Sequence, residues 1–205
     1  GATVYKIEPF EGDDYRNNAS GFGMSKTEID DPAFDLTSTN KTFVSINLKT
    51  EAGAEFLDKL LKEADVLVIA GMGGLLISNI ILNDYEKVIK FKKIIIDAHS
   101  EIEKLRANLI SKYFVFDNEI LIQDGKHNYV IIEGHFDLSI RMKYDLLDMK
   151  FGPVLRQNQT PLFKEIIRTK KKHFTECLKK ATDETSKSKL KIELAYIQML
   201  EGTNK

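Results

Sequence analysis

The stretch from Ala64 to Leu76, ADVLVIAGMGGLL, constrains the fold more than any other part of the chain. Its apolar run from Val66 to Ile69 is typical of a buried strand. A glycine-rich segment, Gly71 to Gly74, follows at once, and an apolar pattern of helical period begins at Leu75. The stretch therefore predicts a strand, a tight turn and a helix, which is the α/β unit that presents backbone N–H groups to a ligand.

Length and composition limit the classes of protein to consider. The chain has 205 residues, of which 42% are hydrophobic, enough for one domain with or without a helical appendage. No apolar run approaches the roughly 18 residues of a membrane span, and no charged and apolar leader begins at Gly1. We expect a cytoplasmic protein with no membrane partner. The single cysteine, Cys177, and four scattered histidines predict no metal site.

A gradient of charge runs along the chain, although the net charge is only −1. Residues 1–68 carry 13 acidic and seven basic side chains, residues 69–160 carry 12 of each, and residues 161–205 carry six acidic and 11 basic ones. A basic tail on a neutral body fits contact with a polyanion such as RNA. The alternative is a solvated, lysine-rich helix.

Strand and helix signals alternate before the glycine segment. Residues 2–8 predict a strand whose last residue is Glu8, and residues 41–49 predict a second strand that is buried on one face. Thr50 fits the N-cap of a helix that runs to about Glu63. Between the strands, residues 10–40 are polar and irregular, which suggests a binding loop or a segment without a packing partner.

The chain after the glycine segment predicts a second α/β portion and a helical tail. An apolar strand ends at Asp97, and residues 101–112 carry a helical pattern. The Asp124-Gly125 pair predicts a β-hairpin, and the residues from Leu162 onward predict two amphipathic helices. We therefore predict an α/β fold: a Rossmann-like, mostly parallel sheet with a terminal antiparallel hairpin and a C-terminal α-helical hairpin.

Three segments of the first third read GATVYKIEPFEGDDYR, NKTFVSINLKTEAG and LLKEADVLV. In order and spacing, over residues 1–68, they resemble the amino-terminal region of family III CoA-transferases. The resemblance implies coenzyme A as the cofactor, with Arg16, Asn40 and Lys41 near its phosphates. It stops at the glycine segment, and no residue corresponds to the aspartate nucleophile of that family. The acidic excess of this portion also disfavours an anionic cofactor.

The remaining two-thirds carry VLVIAGMGGLLISNIIL, a strand and helix over residues 93–112, EILIQDGKHNYVIIEG, the FGPVL of residues 151–155 and the two-helix tail. As a set, these segments resemble bacterial tRNA methyltransferases that modify adenine N1 in the D-arm. The resemblance implies S-adenosylmethionine as the cofactor and tRNA as the partner. That family binds the donor with an earlier loop of the type ADIGSDHAYLP, which this chain does not contain. Asp97-Ala98-His99 stands where the family commonly has Gln-Pro-Asn.

The two resemblances meet at the strand that begins at Asp65. We therefore divide the chain into a partial α/β segment of the CoA-transferase type (1–68), a Rossmann-like methyltransferase-type core (66–155) and a helical-hairpin extension (156–205). A natural fusion, a fusion made in the laboratory and a sequence-assembly error all predict this pattern. We predict methylation of adenine N1 in tRNA, with activity impaired by the absence of the first donor-binding loop. The alternatives are a CoA-transferase fragment and a non-catalytic module that binds RNA or dimerises.

The methyltransferase resemblance and the topology of α/β folds place the site at the carboxyl edge of the strands. The expected cofactor-binding residues are those at two strand ends: Glu8, Ala70, Gly71, Met72, Gly73 and Gly74. Asp97 and His99 follow the next strand at the same edge and are the candidate catalytic residues. The alternatives are tight packing for the glycines and ordinary surface roles for Glu8 and His99.

A run of three lysines marks the first tail helix. Lys170, Lys171 and Lys172 precede His173 and are the candidate contacts to tRNA phosphates. The alternative is a solvated helix face. The tail is also the candidate for self-association, and the oligomeric state stays open.

Overall fold

The computed structural model of the chain describes residues 3–8, 10, 39–47, 49–125 and 127–202. Most of the polar segment predicted as a binding loop, including Arg16, lies outside the described residues. The chain divides into two compact units, residues 1–63 and residues 64–205. The helical tail therefore belongs to the same compact unit as the Rossmann-like core, and the three-part division by resemblance stays a prediction.

The first unit contains a parallel pair of strands and a helix. β1 (Val4–Glu8) pairs with β2 (Lys41–Ser45), so that Glu8 lies opposite Ser45. The helix α1 (Glu51–Glu63) follows Thr50, whose hydroxyl oxygen accepts a hydrogen bond from the Gly53 N–H at 3.2 Å. The predicted N-cap at Thr50 is confirmed, whereas the strand predicted over residues 41–49 ends at Ser45.

The second unit is built on a four-stranded sheet in the order β3, β4, β6, β5. β3 (Val66–Gly73) and β4 (Lys93–Ser100) are parallel. β5 (Phe114–Asp124) and β6 (His127–Phe136) form the predicted hairpin, and β6 also pairs antiparallel with β4. The α/β class is confirmed, but this sheet is mixed rather than mostly parallel.

The glycine segment differs from its prediction. β3 does not stop at Ile69 but continues to Gly73, with Met72 opposite Ala98 and Gly73 opposite Ser100. The register shifts on both sides of Met72, next to Gly71, whose φ is +79°. The helix α2 (Gly74–Asn83) begins directly afterwards. The glycines thus form an irregular strand end that still pairs with β4, instead of a separate turn.

Helices and strands of the second unit share a buried core. α2 and α4 (Ile102–Ser111) pack against each other and on the sheet, and a short helix, α3 (Tyr85–Val88), follows α2. Residues that are at most 1% exposed make up the centre of this core: Ile77, Ile81, Ile94, Ile96, Leu105, Phe114 and Ile132.

The tail contains two short helices, α5 (Leu146–Phe151) and α6 (Pro153–Asn158), and two long ones, α7 (Pro161–Lys180) and α8 (Glu184–Gly202). α7 packs along α8, which confirms the predicted helical hairpin. The apolar cluster of the tail comprises Leu147, Phe151, Leu155, Phe163, Ile167, Ile197 and Leu200. Neither long helix, nor any other described helix, has the length and apolar character needed to cross a bilayer.

The buried carboxylate of Glu119 on β5 connects the sheet to the tail. Arg106 Nε on α4 donates to Glu119 Oε1 on β5 at 2.8 Å. The other Glu119 oxygen accepts hydrogen bonds from the N–H groups of Val154 and Leu155, at 3.0 and 3.3 Å, in the first turn of α6. Gly152 has a φ of +90°, and a Cβ at this position would overlap the Glu119 carboxylate. The FGPVL segment is therefore a turn built around a buried carboxylate.

Candidate functional site

The carboxyl edge of β3 and β4 brings together most of the residues predicted to form the site. Ala70 lies opposite Asp97, and the register continues past Met72 to Gly73 and Ser100. The predicted cofactor-binding segment and both candidate catalytic residues therefore lie on neighbouring strands, as the parallel topology requires.

Asp97 has a carboxylate oxygen without a partner. Its Oδ1 is buried and accepts no hydrogen bond from the described part of the chain. Its Oδ2 lies 3.6 Å from His99 Nε2, and its side chain is 27% exposed. Because a buried carboxylate oxygen without a donor is costly, this atom is suited to accept a hydrogen bond from a ligand or a water molecule.

His99 lies further out than Asp97, and its side chain is 51% exposed. Its ring meets that of Tyr129 edge-on, with the ring centroids 5.9 Å apart. Tyr129 comes from β6 and was not predicted from the sequence. The pairing of β4 with β6, which places Ile131 opposite Asp97, brings Tyr129 beside His99, and local patterns along the chain do not indicate that pairing.

The glycines of the segment have different surroundings. A Cβ on Gly71 would meet no atom within 4 Å, so open space adjoins this exposed residue. A Cβ on Gly74 would come within 2.7 Å of the Glu101 carbonyl oxygen, so this buried position requires glycine for packing. A ligand therefore finds access at Ala70 and Gly71 and none at Gly74. The cofactor role of the segment stays a prediction.

Glu8 and the predicted CoA contacts lie in the first unit. Glu8 is buried at the end of β1, and its Oε1 lies 3.7 Å from Lys6 Nζ. Asn40, with a φ of +63°, and Lys41 lie where β2 begins. The structure gives Glu8 a local partner, and its role toward a cofactor stays a prediction.

Helical geometry separates the three lysines of the predicted RNA contact. Lys171 Nζ forms an ion pair with Glu201 on α8, at 2.7 Å from Oε2. Lys170 lines a cavity at the inner side of α7. Lys172 is exposed, and no carboxylate of the described chain pairs with it. Successive residues point about 100° apart around a helix, so the three lysines point in different directions. Their joint contact with RNA stays a prediction.

A basic stripe that was not predicted from the sequence runs along α7 and borders α8, where Lys164 and Arg168 line a cavity together with Leu200 and Glu201. It consists of Lys164, Arg168, Lys172 and Lys179, all exposed and without an ion pair to any described residue. Spacings of four, four and seven residues keep these cations near one line, which extends about 22 Å at the rise of an α-helix. The period of the lysines and arginine was the signal available in the sequence. This stripe is the stronger candidate for contact with RNA phosphates.

The described residues contain no cluster of side chains that could bind a metal ion. No group of three or more His, Cys, Asp or Glu side chains lies close enough together there to hold an ion. The arrangement at the sheet edge can instead accept hydrogen bonds at Asp97 and admit a ligand beside Gly71.

Comparison with known proteins shows similarity to one protein family over most of the chain. A family model described as TrmK, tRNA (adenine(22)-N(1))-methyltransferase, matches residues 32–201. An uncharacterized protein from Listeria monocytogenes serotype 4b has a similar structure, with a TM-score of 0.70 and 18% identity over 98% of this chain and 83% of that one. A Streptococcus pneumoniae protein, a candidate tRNA (m1A22) methyltransferase solved with S-adenosyl-L-methionine, has a TM-score of 0.68 and 21% identity over 97% of this chain and 80% of its own. These likenesses confirm the Rossmann-like fold.

A different set of proteins matches a third of the chain. Over 68 residues, the chain is 47% identical to (R)-2-hydroxy-4-methylpentanoate CoA-transferase from Clostridioides difficile, which is 33% of this chain and 17% of that protein. The chain spans only 16% to 17% of the length of the curated relatives that it matches. Both predicted resemblances are therefore confirmed, and the one to CoA-transferases is limited to a third of the chain.

Proposed function

Since the chain belongs to the TrmK family of tRNA (adenine(22)-N(1))-methyltransferases, we propose that it methylates N1 of an adenine in tRNA with S-adenosylmethionine as the donor. The observation that carries the proposal is the carboxyl edge of β3 and β4. There, open space at Gly71 adjoins a strand whose Asp97 holds a buried oxygen that no described donor satisfies. A site of this kind accepts a polar ligand without first breaking a hydrogen bond.

The residues at this edge fit the methyl donor. Ala70, Gly71 and Met72 would hold it, because the first two are exposed and the segment carries little side chain to obstruct a ligand. Asp97 offers an acceptor to the amine and hydroxyl donors that such a molecule carries. When bound, S-adenosylmethionine supplies an electrophilic methyl group.

The acceptor base is its own nucleophile, because the N1 lone pair of adenine is free to attack and no proton must first be removed. The chain therefore has to orient the base, exclude water and stabilise charge. Methylation leaves a positive charge on the adenine ring. The Asp97 carboxylate, at the edge of the sheet, is placed to stabilise that charge, and the ring of Tyr129 beside His99 offers an aromatic surface.

The RNA is recognised by the basic stripe of α7. None of its four cations, Lys164, Arg168, Lys172 and Lys179, forms an ion pair with a described carboxylate, so their donors are available to phosphates. A tRNA substrate also implies that the protein works in the cytoplasm. The tail also has exposed apolar residues on α8, Ile192 and Met199, through which the chain would self-associate. Sedimentation velocity measures the oligomeric state and tests this role.

The decisive experiment is a methyl-transfer assay with the full chain, labelled S-adenosylmethionine and two transcribed tRNAs that carry adenine or guanine at the target position. Label should enter only the adenine transcript, and nucleoside mass spectrometry should identify N1-methyladenosine. Label in both transcripts, or in neither when calorimetry shows that the donor binds, would overturn the proposal.

A CoA-transferase fragment is the second candidate, and the 47% identity over a third of the chain favours it. Calorimetric titration of the chain with S-adenosylmethionine and, separately, with acetyl-CoA distinguishes the two. Saturable binding of acetyl-CoA alone would make the first unit the functional one. Binding of tRNA without either cofactor would leave a non-catalytic RNA-binding module.

A further inference from the structure

The second unit contains a cavity of about 340 Å³ between the sheet hairpin and the tail. The first turn of α4, the strands β5 and β6, the short helices α5 and α6, and α7 all contribute to its walls. Its floor is apolar and includes two aromatic rings; the residues are Leu121, Val130, Phe151, Phe163, Ile166 and Ile167. The volume lies at the lower end of the roughly 300–1,000 Å³ of small-molecule sites, which suits a single ring system rather than a peptide.

The cavity adjoins the carboxyl edge of β3 and β4. Glu101 and Ile102, which line it, follow directly after β4 ends at Ser100. Val130 precedes Ile131, the residue opposite Asp97. A polymer bound at the sheet edge can therefore reach the cavity with a neighbouring unit.

The charges around the cavity leave one cation uncompensated. Lys104 pairs with Glu101 at 2.9 Å, and Arg106 with Glu119 at 2.8 Å. Lys150 meets two carboxylates, those of Glu103 and Glu193, at 3.1 and 2.9 Å. Lys170 is the remaining cation of the wall, and in the part of the chain that the structure describes no carboxylate pairs with it. The cavity thus combines an apolar floor with a single free positive charge.

We propose that this cavity binds one unstacked nucleotide of the tRNA, distinct from the methylated adenine, with its base on the apolar floor and its phosphate at Lys170. The inference rests on the proposed function for the identity of the polymer. An unstacked base packs against apolar and aromatic side chains, and a phosphate pairs with a cation at the rim. Lys170 lies on the same helix as the basic stripe but points toward the cavity, so this phosphate contact is separate from those of the stripe.

The first test uses the full chain and no methyl donor. Methyl resonances of Leu121, Val130, Ile166 and Ile167 are followed during titration with adenosine 5′-monophosphate, with inorganic phosphate and with octanoate. The nucleotide should shift these resonances, and Lys170→Ala should weaken its binding about fivefold, as expected for one partly exposed charge contact. Matched variant Lys189→Ala, an exposed lysine on α8, should leave it unchanged. Absence of shifts with the nucleotide, or tighter binding of octanoate, overturns the proposal.

A second test uses tRNA. Leu121→Trp fills the cavity and should weaken tRNA binding, with Val130→Phe as a second filling variant if thermal melting shows that the first unfolds. In either filled background, Lys170→Ala should have no further effect, because the phosphate no longer reaches it. An undiminished effect of Lys170→Ala would identify a simple surface charge and overturn the proposal. If the unmodified chain methylates tRNA but the nucleotide shifts no resonance, the cavity proposal is rejected and the proposed function stands. If the nucleotide shifts the resonances but no methylation occurs, the cavity binds a nucleotide and the proposed function is rejected.

Discussion

Arg106 and Glu119, thirteen residues apart on α4 and β5, form an ion pair whose side chains are 3% and 0% exposed. Burial raises the pKa of Glu119, and the neighbouring Arg106 guanidinium acts in the opposite direction without cancelling it. The carboxylate is also the acceptor for the N–H groups of Val154 and Leu155. We infer that Glu119 stabilises the joint between sheet and tail mainly as a hydrogen-bond acceptor, and less through its charge.

Removing that acceptor should destabilise the fold more than removing the charge. Glu119→Ala should lower the free energy of unfolding by about 3 kcal/mol, because it leaves the buried Arg106 guanidinium without its counter-charge and two N–H groups without an acceptor. Glu119→Gln keeps one accepting oxygen but turns its amide N–H₂ toward one of the two sets of donors, so it should cost about 2 kcal/mol. Urea denaturation measures both, with the exposed Glu176→Ala on α7 as the control. Equal losses for Ala and Gln would show that the charge is the main contribution.

The raised pKa of Glu119 also predicts how stability depends on pH. A carboxyl whose pKa is higher in the folded state binds its proton more tightly there, so its stabilising effect is complete below the ordinary glutamate pKa. That effect is lost as the pH rises from about 4.3 through the folded-state pKa. Glu119→Gln should remove this part of the decline when unfolding free energies are compared across the same pH range. An identical pH profile in the variant would contradict the assignment.

Asp97→Asn tests whether the carboxylate at the carboxyl edge of β4 takes part in catalysis. The variant removes the negative charge proposed to stabilise the methylated ring, and we expect kcat for methyl transfer to fall about 100-fold. Binding of tRNA should change little, because the stripe on α7 is untouched. Asp124→Asn, at the exposed tip of the β5–β6 hairpin, is the matched control. Full activity of the Asp97 variant would exclude a catalytic role.

Replacing Gly71 or Gly74 with alanine should distinguish a role in donor binding from a role in packing. Gly71→Ala adds a methyl group in open space at a φ of +79°, so it should cost about 1 kcal/mol of stability and lower the affinity for S-adenosylmethionine. Gly74→Ala forces a Cβ toward the Glu101 carbonyl and should cost about 1–3 kcal/mol. Thermal melting and donor titration of both variants provide the comparison. A larger loss of donor affinity in the Gly74 variant, after correction for unfolding, would argue against the site at Gly71.

Salt dependence should distinguish the basic stripe from the three neighbouring lysines. Lys164→Ala, Arg168→Ala and Lys172→Ala combined should weaken tRNA binding and reduce the slope of log K against log salt by about two, at roughly 0.7–0.9 per phosphate contact. Lys171→Ala breaks only the ion pair with Glu201 and should leave the slope unchanged. Replacement of Lys170, Lys171 and Lys172 by Ala removes only one cation of the stripe, Lys172, and should reduce the slope less than the stripe variant in the same filter-binding assay. A larger reduction would favour the three neighbouring lysines as the RNA contact.

Local patterns in the sequence were enough to predict the elements that depend on neighbours along the chain. The hairpin at Asp124-Gly125, the N-cap at Thr50 and the two tail helices follow from turn chemistry, side-chain capping and helical period. Each is confirmed, because the interactions that stabilise it lie within a few residues.

Features that depend on distant pairing were not visible. Gly71 to Gly73 suggested a turn, yet these residues continue β3 because the end of β4 offers them a partner strand. The ion pair between Arg106 and Glu119 was not predicted, since nothing in either segment shows that the two meet. The three lysines read as one cluster because the sequence places them together, while the helix directs them to a cavity, an ion pair and solvent.

The turn at Gly152 has a consequence for how this chain tolerates mutation. Every amino acid that could replace glycine carries a Cβ, and at Gly152 that atom would overlap the Glu119 carboxylate on a backbone with a φ of +90°. Any missense change in this one codon therefore disrupts the contact between Glu119 and the tail, whatever the chemical class of the new residue. A saturation library of the coding sequence should be empty of functional variants at this position, while the neighbouring exposed Gln157 accepts many.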